Sequence, residues 1–445
     1  MRITNKATGR FFNRCSSSCI AASGAALRSY FRISLFIFLL LAPMRSLAAD
    51  TAQGILNPYF KTLVVEKEGD FLSPPVVRLN SGEQIIISFD EIGTDWSRLQ
   101  YRLVHCNADW QPSRLIESEY VDGFNFADIE DYAFSSNTFT NYVNYRFAVP
   151  SEDMRILVSG NYVVEVFPQD DPDDVILRAR FQVSEDTAFV NAEVTPRTDK
   201  GFNSEWQQVD MAVNLAGKDI NPFQDIIVSV AQNRRPDTEV FVSHPLRVEG
   251  SKIMYEHNMD LVFPASNEYR RFETVRADYP GMGIDRVGFD DRSYQAWLVT
   301  DDNRNSHSYN YDQTQKGRFK IDSYSATDPD LGADYVDVHF TLDFPQLMNG
   351  DIYVNGDFTS NRYDDEFKMR YDYNTGLYTL TLPLKQGSYN YQYVAVKEGD
   401  SKGSTALVEG NKYETQNEYV ISVYYRSPLA RADRLIGRGV VVYNE

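Results

Sequence analysis

From Leu99 the chain reads LQYRLVH, an alternation that sets Leu99, Tyr101, Leu103 and His105 on one face and Arg102 on the other. A period of two is the mark of a strand with one face buried. The same pattern runs through SGNYVVEVF and, after a polar turn over 168–174, through VILRARFQV. There Val175, Leu177, Ala179, Phe181 and Val183 face inward while Arg178 and Arg180 face out. VVRLNSGEQIIISFD, from Val76, predicts two strands about the turn Asn80-Ser81-Gly82. Long amphipathic helical patterns are missing. Only the stretch over 114–131 and the tail near Leu429 leave room for a short helical turn.

Readable strands continue to the end of the chain, through VDVHFTLDFP, GDIYVNGDF, GLYTLTLPL, SYNYQYVAV and NEYVISVYYR. A sandwich of about seven strands takes roughly 100 residues. The expected fold class is therefore all-β, with tandem immunoglobulin-like or early-set β-sandwiches. The expected divisions are 50–185, 186–320 and 321–445, with the polar stretch DSYSATDPDLGAD as the linker before the third.

The first 49 residues differ in kind. Seven basic side chains precede the first acid, Asp50, and the run ISLFIFLLLAP is too short to span a bilayer. Small residues at Ser46, Ala48 and Ala49 follow it, so 1–49 reads as a secretory signal peptide cut near Ala48 or Ala49. Seven of the 44 basic residues leave with it, so 37 remain against 63 acids, a formal charge of −26. Such a balance disfavours nucleic acid and suits a basic partner surface. Cys15 and Cys19 also leave, and Cys106 remains without a disulfide partner.

Candidate chemistry is sparse. His105, Cys106 and Asp109 stand within five residues, but neighbours on a strand point to opposite faces, and no HExxH, CxxC or second cluster accompanies them. The bland reading is an inward His105, a small buried Cys106, and a turn NADW whose Trp110 folds back over the sheets. The acidic runs DDPDD at Asp170 and RYDDEF at Arg362 lack calcium-loop ligand order and read as solvated turns. Tyr389, Tyr391 and Tyr393 share one face of a strand, with Asn390 and Gln392 opposite, so the tyrosine face is expected inside. No phosphate loop or GxSxG signature appears. No catalytic residue, metal or cofactor is expected, and the chain reads as a binding or structural protein.

As a set, LQYRLVHCNADWQPSRLIESEYVDGF, DYAFSSNTFTNYVNYRFAVP, LPLKQGSYNYQYV and YVISVYYRSP…DRLIG resemble the type IX secretion system plug protein family of Bacteroidota. The resemblance touches both ends of the chain and is weakest in the middle. It implies a periplasmic, non-enzymatic β protein, peripheral to the outer membrane. Such a protein docks on the large outer-membrane translocon barrel and closes its periplasmic opening when cargo is absent. His105, Cys106, Asp109 and Trp110 then belong to a family motif that fixes a loop. For the contact, the aromatic-dense segment DGFNFADIEDYAFSSNTFTNY offers Phe124, Phe126, Tyr132, Phe134 and Tyr142, with Trp110 beside them.

The rival expectation is a carbohydrate-binding protein. The stretch from Gly350 resembles the early-set sandwich of glycogen- and starch-binding modules, but GDFTSNRYD carries no tryptophan at the sugar-stacking position. Tyr363 is the residue that would take its place.

Overall fold

The computed structural model describes residues 50–216, 220–427 and 429–444. The expected signal peptide at 1–49 lies outside them. The described chain is nearly all β, with single helical turns at Glu117–Tyr120 and Pro329–Gly332.

Two sheets form the first body. One runs Gly54–Ile55, Leu177–Ser184, Gly160–Pro168, Leu99–Cys106, Ala127–Asp128, with Val76–Arg78 added in parallel to Leu177–Ser184. The other runs Phe60–Lys67, Ile85–Ile92, Tyr142–Val149, Tyr132–Phe134. Their inner faces share one core, in which Leu99, Tyr101 and Leu103 pack with Ile85, Ile87 and Phe89. The alternation in LQYRLVH is realised: Leu99, Tyr101, Leu103 and His105 are buried and Gln100, Arg102 and Val104 partly exposed. The hairpin of Gly160–Pro168 with Leu177–Ser184 also forms as expected, Tyr162 opposite Phe181 and Val164 opposite Ala179. The turn at Asn80 behaves differently. Asn80 and Gly82 take positive φ (61° and 79°), but the strands on either side join different sheets, so the turn is a crossover between layers.

A nine-stranded sheet follows. Its order is Val240–Val242, Ile226–Gln232, Glu418–Tyr425, Arg434–Val442, Ala188–Thr195, Trp206–Asn214, Lys252–Tyr255, Arg247–Glu249, with Val262–Pro264 beside Trp206–Asn214. Its core joins Val209, Val213, Val228 and Val230 to Tyr419, Ile421 and Ile436. Strands from 186–320 and 321–445 are thus neighbours in one sheet. The exchange runs the other way too: Arg270–Glu273 and Phe319–Ile321 both pair with Gly387–Val396. These complete a five-stranded sheet that faces another, Ile284–Phe289, Tyr294–Leu298, Tyr335–Leu342, Leu377–Lys385, Arg370–Asp372. Edge strands accept whichever partner completes their hydrogen bonds, and chain order does not decide which.

Tyr389, Tyr391 and Tyr393 lie inside, in a core with Phe272 and Phe340. Asn390 and Gln392 are buried as well, because loops cover the second face. Asn390 Oδ1 accepts the Gln315 N–H, and Gln392 Nε2 donates to Asn355 Oδ1. The stretch read as a polar linker is docked instead. Ala333 and Asp334 are buried, and Asp334 takes its own hydrogen bonds from the first body.

Candidate partner-binding surface

The loop after Cys106 is built to hold its shape. Asn107 O accepts the Trp110 N–H at 2.9 Å, Trp110 takes φ 61°, and Asp433 Oδ2 accepts the Ala108 N–H at 3.0 Å. Arg426 clamps that same Asp433 with two hydrogen bonds. NADW in the first body is thereby tied to the last hairpin of the chain. His105 packs edge-on to Tyr162 and hydrogen-bonds through Nε2 to Ser159 O at 3.2 Å. Burial pushes its pKa down and pushes the Cys106 thiol up to about 12, the reverse of an activated nucleophile. Asp109 is exposed on the turn, and its charge raises the Cys106 thiol further.

The aromatic segment comes next. Tyr120, in the helical turn, points inward and donates to Leu103 O at 3.1 Å. Asn125 then acts as a substitute strand. Its Oδ1 accepts the Leu103 N–H at 3.0 Å and its Nδ2 donates to Leu103 O at 2.9 Å, so one buried side chain closes that stretch of sheet edge. With Asn125 turned in, its neighbours turn out: Phe124 is 85% exposed, and Phe126 is exposed with its ring edge-on to Phe167. Ile129 plugs the core. Tyr132 stacks on Trp96 at 4.7 Å, and Phe134 stands exposed at the end of the edge strand.

The turn over 135–141 is clamped from the docked linker. Asp334 accepts the Phe139 N–H at 2.6 Å on one oxygen and the Thr140 N–H at 3.0 Å on the other, while Leu331 O accepts the Ser136 N–H at 2.9 Å. Phe139 is 57% exposed on this fixed backbone, and its ring lies 4.7 Å from Phe289 and 5.3 Å from Tyr294. Phe289 is itself exposed. Exposed Asp290 and Asp291 directly follow Phe289 on its own loop. Exposed rings held by a rigid backbone are what a protein interface uses for anchors, since little ordering entropy is lost on binding.

The six residues named from sequence separate by environment. Phe124, Phe126 and Phe134 are exposed; Tyr132 is partly covered by Trp96; Trp110 is partly covered and has the Arg180 guanidinium over its ring at 4.4 Å. Tyr142 is 1% exposed and donates to Ala333 O at 2.8 Å, so it is closed to a partner. The strand alternation of YVNYRFAV hides this, because Tyr142 sits where the third body covers the sheet. Phe139 and Phe289 were missed. Phe139 lies in the quoted segment between two threonines, and only the fold brings Phe289 beside it.

Tyr363 offers no sugar platform. Its hydroxyl donates to Asp237 Oδ2 at 2.7 Å and accepts from Arg235 Nη2 at 3.1 Å, and its ring tilts against Tyr353.

A family model described as type 9 secretion system plug protein, first domain, matches residues 60–185. That span contains the whole aromatic segment. The crystal structure of a hypothetical protein from Parabacteroides merdae ATCC 43184 superposes with TM-score 0.86 at 42% identity, covering 88% of this chain and 99% of that one. A biofilm-associated protein B domain aligns over 88% of each chain at 10% identity with TM-score 0.20. A Pseudomonas fluorescens alkylpurine DNA glycosylase aligns over 28% of this chain and 29% of its own at 15% identity with TM-score 0.17. No curated protein matches.

Proposed function

The chain belongs to the type 9 secretion system plug protein family, and from that membership we propose that it is a non-enzymatic periplasmic protein that docks on the outer-membrane translocon barrel of that system. There it closes the periplasmic opening when cargo is absent, and export requires it to leave. Among the described residues no helix is long and apolar enough to cross a membrane. The observation that carries a docking role is the Phe139–Phe289–Tyr294 cluster, in which Phe139 and Phe289 are exposed and the Phe139 turn is fixed by Asp334. With an acidic rim, it fits an apolar patch bordered by basic side chains.

We propose further that the 50–185 segment is an immunoglobulin-like sandwich and that the two later bodies are sandwiches of the same broad type, the last early-set-like. The middle one is discontinuous, drawing its final hairpin from Glu418–Tyr425 and Arg434–Val442.

The test is capture from solubilised envelope by the tagged mature protein, with the bound proteins identified by mass. A large outer-membrane barrel in stoichiometric amount is the expected partner. Substituting Phe139→Ala and Phe289→Ala together should weaken capture by about 2 kcal/mol or more, as for central interface anchors. No barrel in the wild-type capture would sink the docking role. Equal capture by the double variant would move the contact to another face.

A further inference from the structure

Where the three bodies meet, a cavity of about 200 Å³ remains between the first body, the nine-stranded sheet and the strand Phe319–Ile321. Three charges on its lining are answered in direct contact: Arg234 reaches Asp357 at 2.6 Å, and Arg318 holds both Glu418 oxygens at 2.8 and 2.9 Å. Glu66 has no direct ion pair among the described residues and lies in the field of Arg146 and Lys320. Arg180 and Glu239 are left. Arg180 enters from Leu177–Ser184 with its guanidinium over Trp110 at 4.4 Å, its Nε donating to Thr51 O at 2.7 Å and Nη2 to Thr51 Oγ1 at 3.3 Å. Glu239 enters from the nine-stranded sheet, just before Val240–Val242, with Ser229 beside it. Among the described residues neither forms an ion pair, although the two attract each other across the space.

We propose that this cavity binds a small zwitterion with an apolar body, a free hydrophobic amino acid being the class that fits. Its carboxylate would sit on the Arg180 guanidinium, its ammonium on Glu239, and its side chain against Phe71, Pro75, Phe319 and Val420. The chemistry follows from the lining. A guanidinium held over an indole and tied by two neutral acceptors has little freedom left to lose, so it meets a carboxylate at low entropic cost. Opposite charges and apolar side chains on the lining of one cavity match a molecule that carries both signs at one end and hydrocarbon at the other. An apolar ligand alone would leave both charges desolvated and unanswered. Burial pushes the Glu239 carboxyl up to about 7 and lowers Arg180, so each is displaced toward its neutral form, which a ligand of the complementary charge would reverse. This site is independent of the docking surface.

Titration calorimetry and thermal unfolding of the mature protein, with L-leucine and L-phenylalanine as probes, test the proposal. L-leucinamide lacks the carboxylate and N-acetyl-L-leucine lacks the ammonium. Expected are binding of the free amino acids with a raised Tm, and binding of each capped form weaker by about tenfold or more. E239Q, which keeps the shape, should weaken free leucine by a similar factor, and R180M likewise; R180K serves if R180M does not fold. The variant with Phe139→Ala and Phe289→Ala should bind as wild type. Three results would overturn the site: no heat and no Tm change at millimolar amino acid, capped forms binding as well as free ones, or E239Q binding leucine unchanged.

Discussion

Of the charged junctions between the first body and the rest of the chain, two are built in opposite ways: Asp90 with Lys385, and Arg180 with Glu239. At the first, both groups are buried and in direct contact. Lys385 Nζ donates to Asp90 Oδ2 at 2.8 Å and to Asp330 O at 2.7 Å, with the Tyr142 ring 4.0 Å beneath it. Asp90 also accepts from Tyr335 at 2.7 Å and from Asn144 at 2.8 Å. At the second, both charges line one cavity, and among the described residues they form no ion pair. Desolvating two ions is offset only when geometry and further hydrogen bonds answer nearly every lone pair and proton. The Asp90 junction meets that condition and joins two bodies rigidly. The Glu239 junction does not, and leaves room for something else.

Substitutions can break or sharpen this contrast. The largest effect is expected from Lys385→Met, which strands Asp90 and should cost about 3–5 kcal/mol in urea unfolding. Adding Asp90→Asn should return most of it; a double variant as unstable as the single would mean that Lys385 acts through packing alone. Next comes pH. The Glu239 carboxyl rises from its ordinary 4.5 to about 7 in the fold, so between those values the native state holds a proton that the unfolded chain has released. That stabilisation is complete below 4.5 and is lost as pH rises toward 7, on the order of 1–3 kcal/mol. E239Q should flatten this part of the stability profile, and an unchanged slope would assign it to another group. Tyr335→Phe removes one of the donors to Asp90 and should cost about 1–2 kcal/mol, with a smaller loss in the D90N/K385M background, where only its 2.6 Å contact with Thr62 Oγ1 is at stake. Smallest is Phe139→Ala with Phe289→Ala, expected to change stability by less than about 1 kcal/mol, because these rings are largely in water. A larger loss would make the cluster part of the fold and not a surface held ready for a partner.

Much of the first body was legible in advance because its strands alternate cleanly. Leu99 to His105 and Leu177 to Val183 face where period two puts them. The NADW turn was legible as a structural loop but its anchor was not, since Asp433 lies more than 320 residues away in sequence. The linker reading failed for a related reason. DSYSATDPDLGAD has the polar composition of a spacer, yet its last acid is buried, answered by the backbone N–H groups of Phe139 and Thr140 and by its own strand. Composition reports what a side chain prefers, not whether a distant segment supplies the donors. Among the surface aromatics, Phe124 and Phe126 could be picked out by density. Tyr142 looked the same and is enclosed.

What the sequence by itself determined is local: strand faces, the all-β class and the turns at Asn80 and Trp110. Each follows from alternation or from a residue whose backbone needs are met within a few neighbours. Its motifs, matched as a set, also carried the family. Only the tertiary structure decided which strands share a sheet, which charges meet in contact and which stay apart, and which aromatic rings remain in water. Those outcomes depend on hydrogen bonds and excluded solvent between residues hundreds of positions apart, where the chain's order carries almost no information about distance.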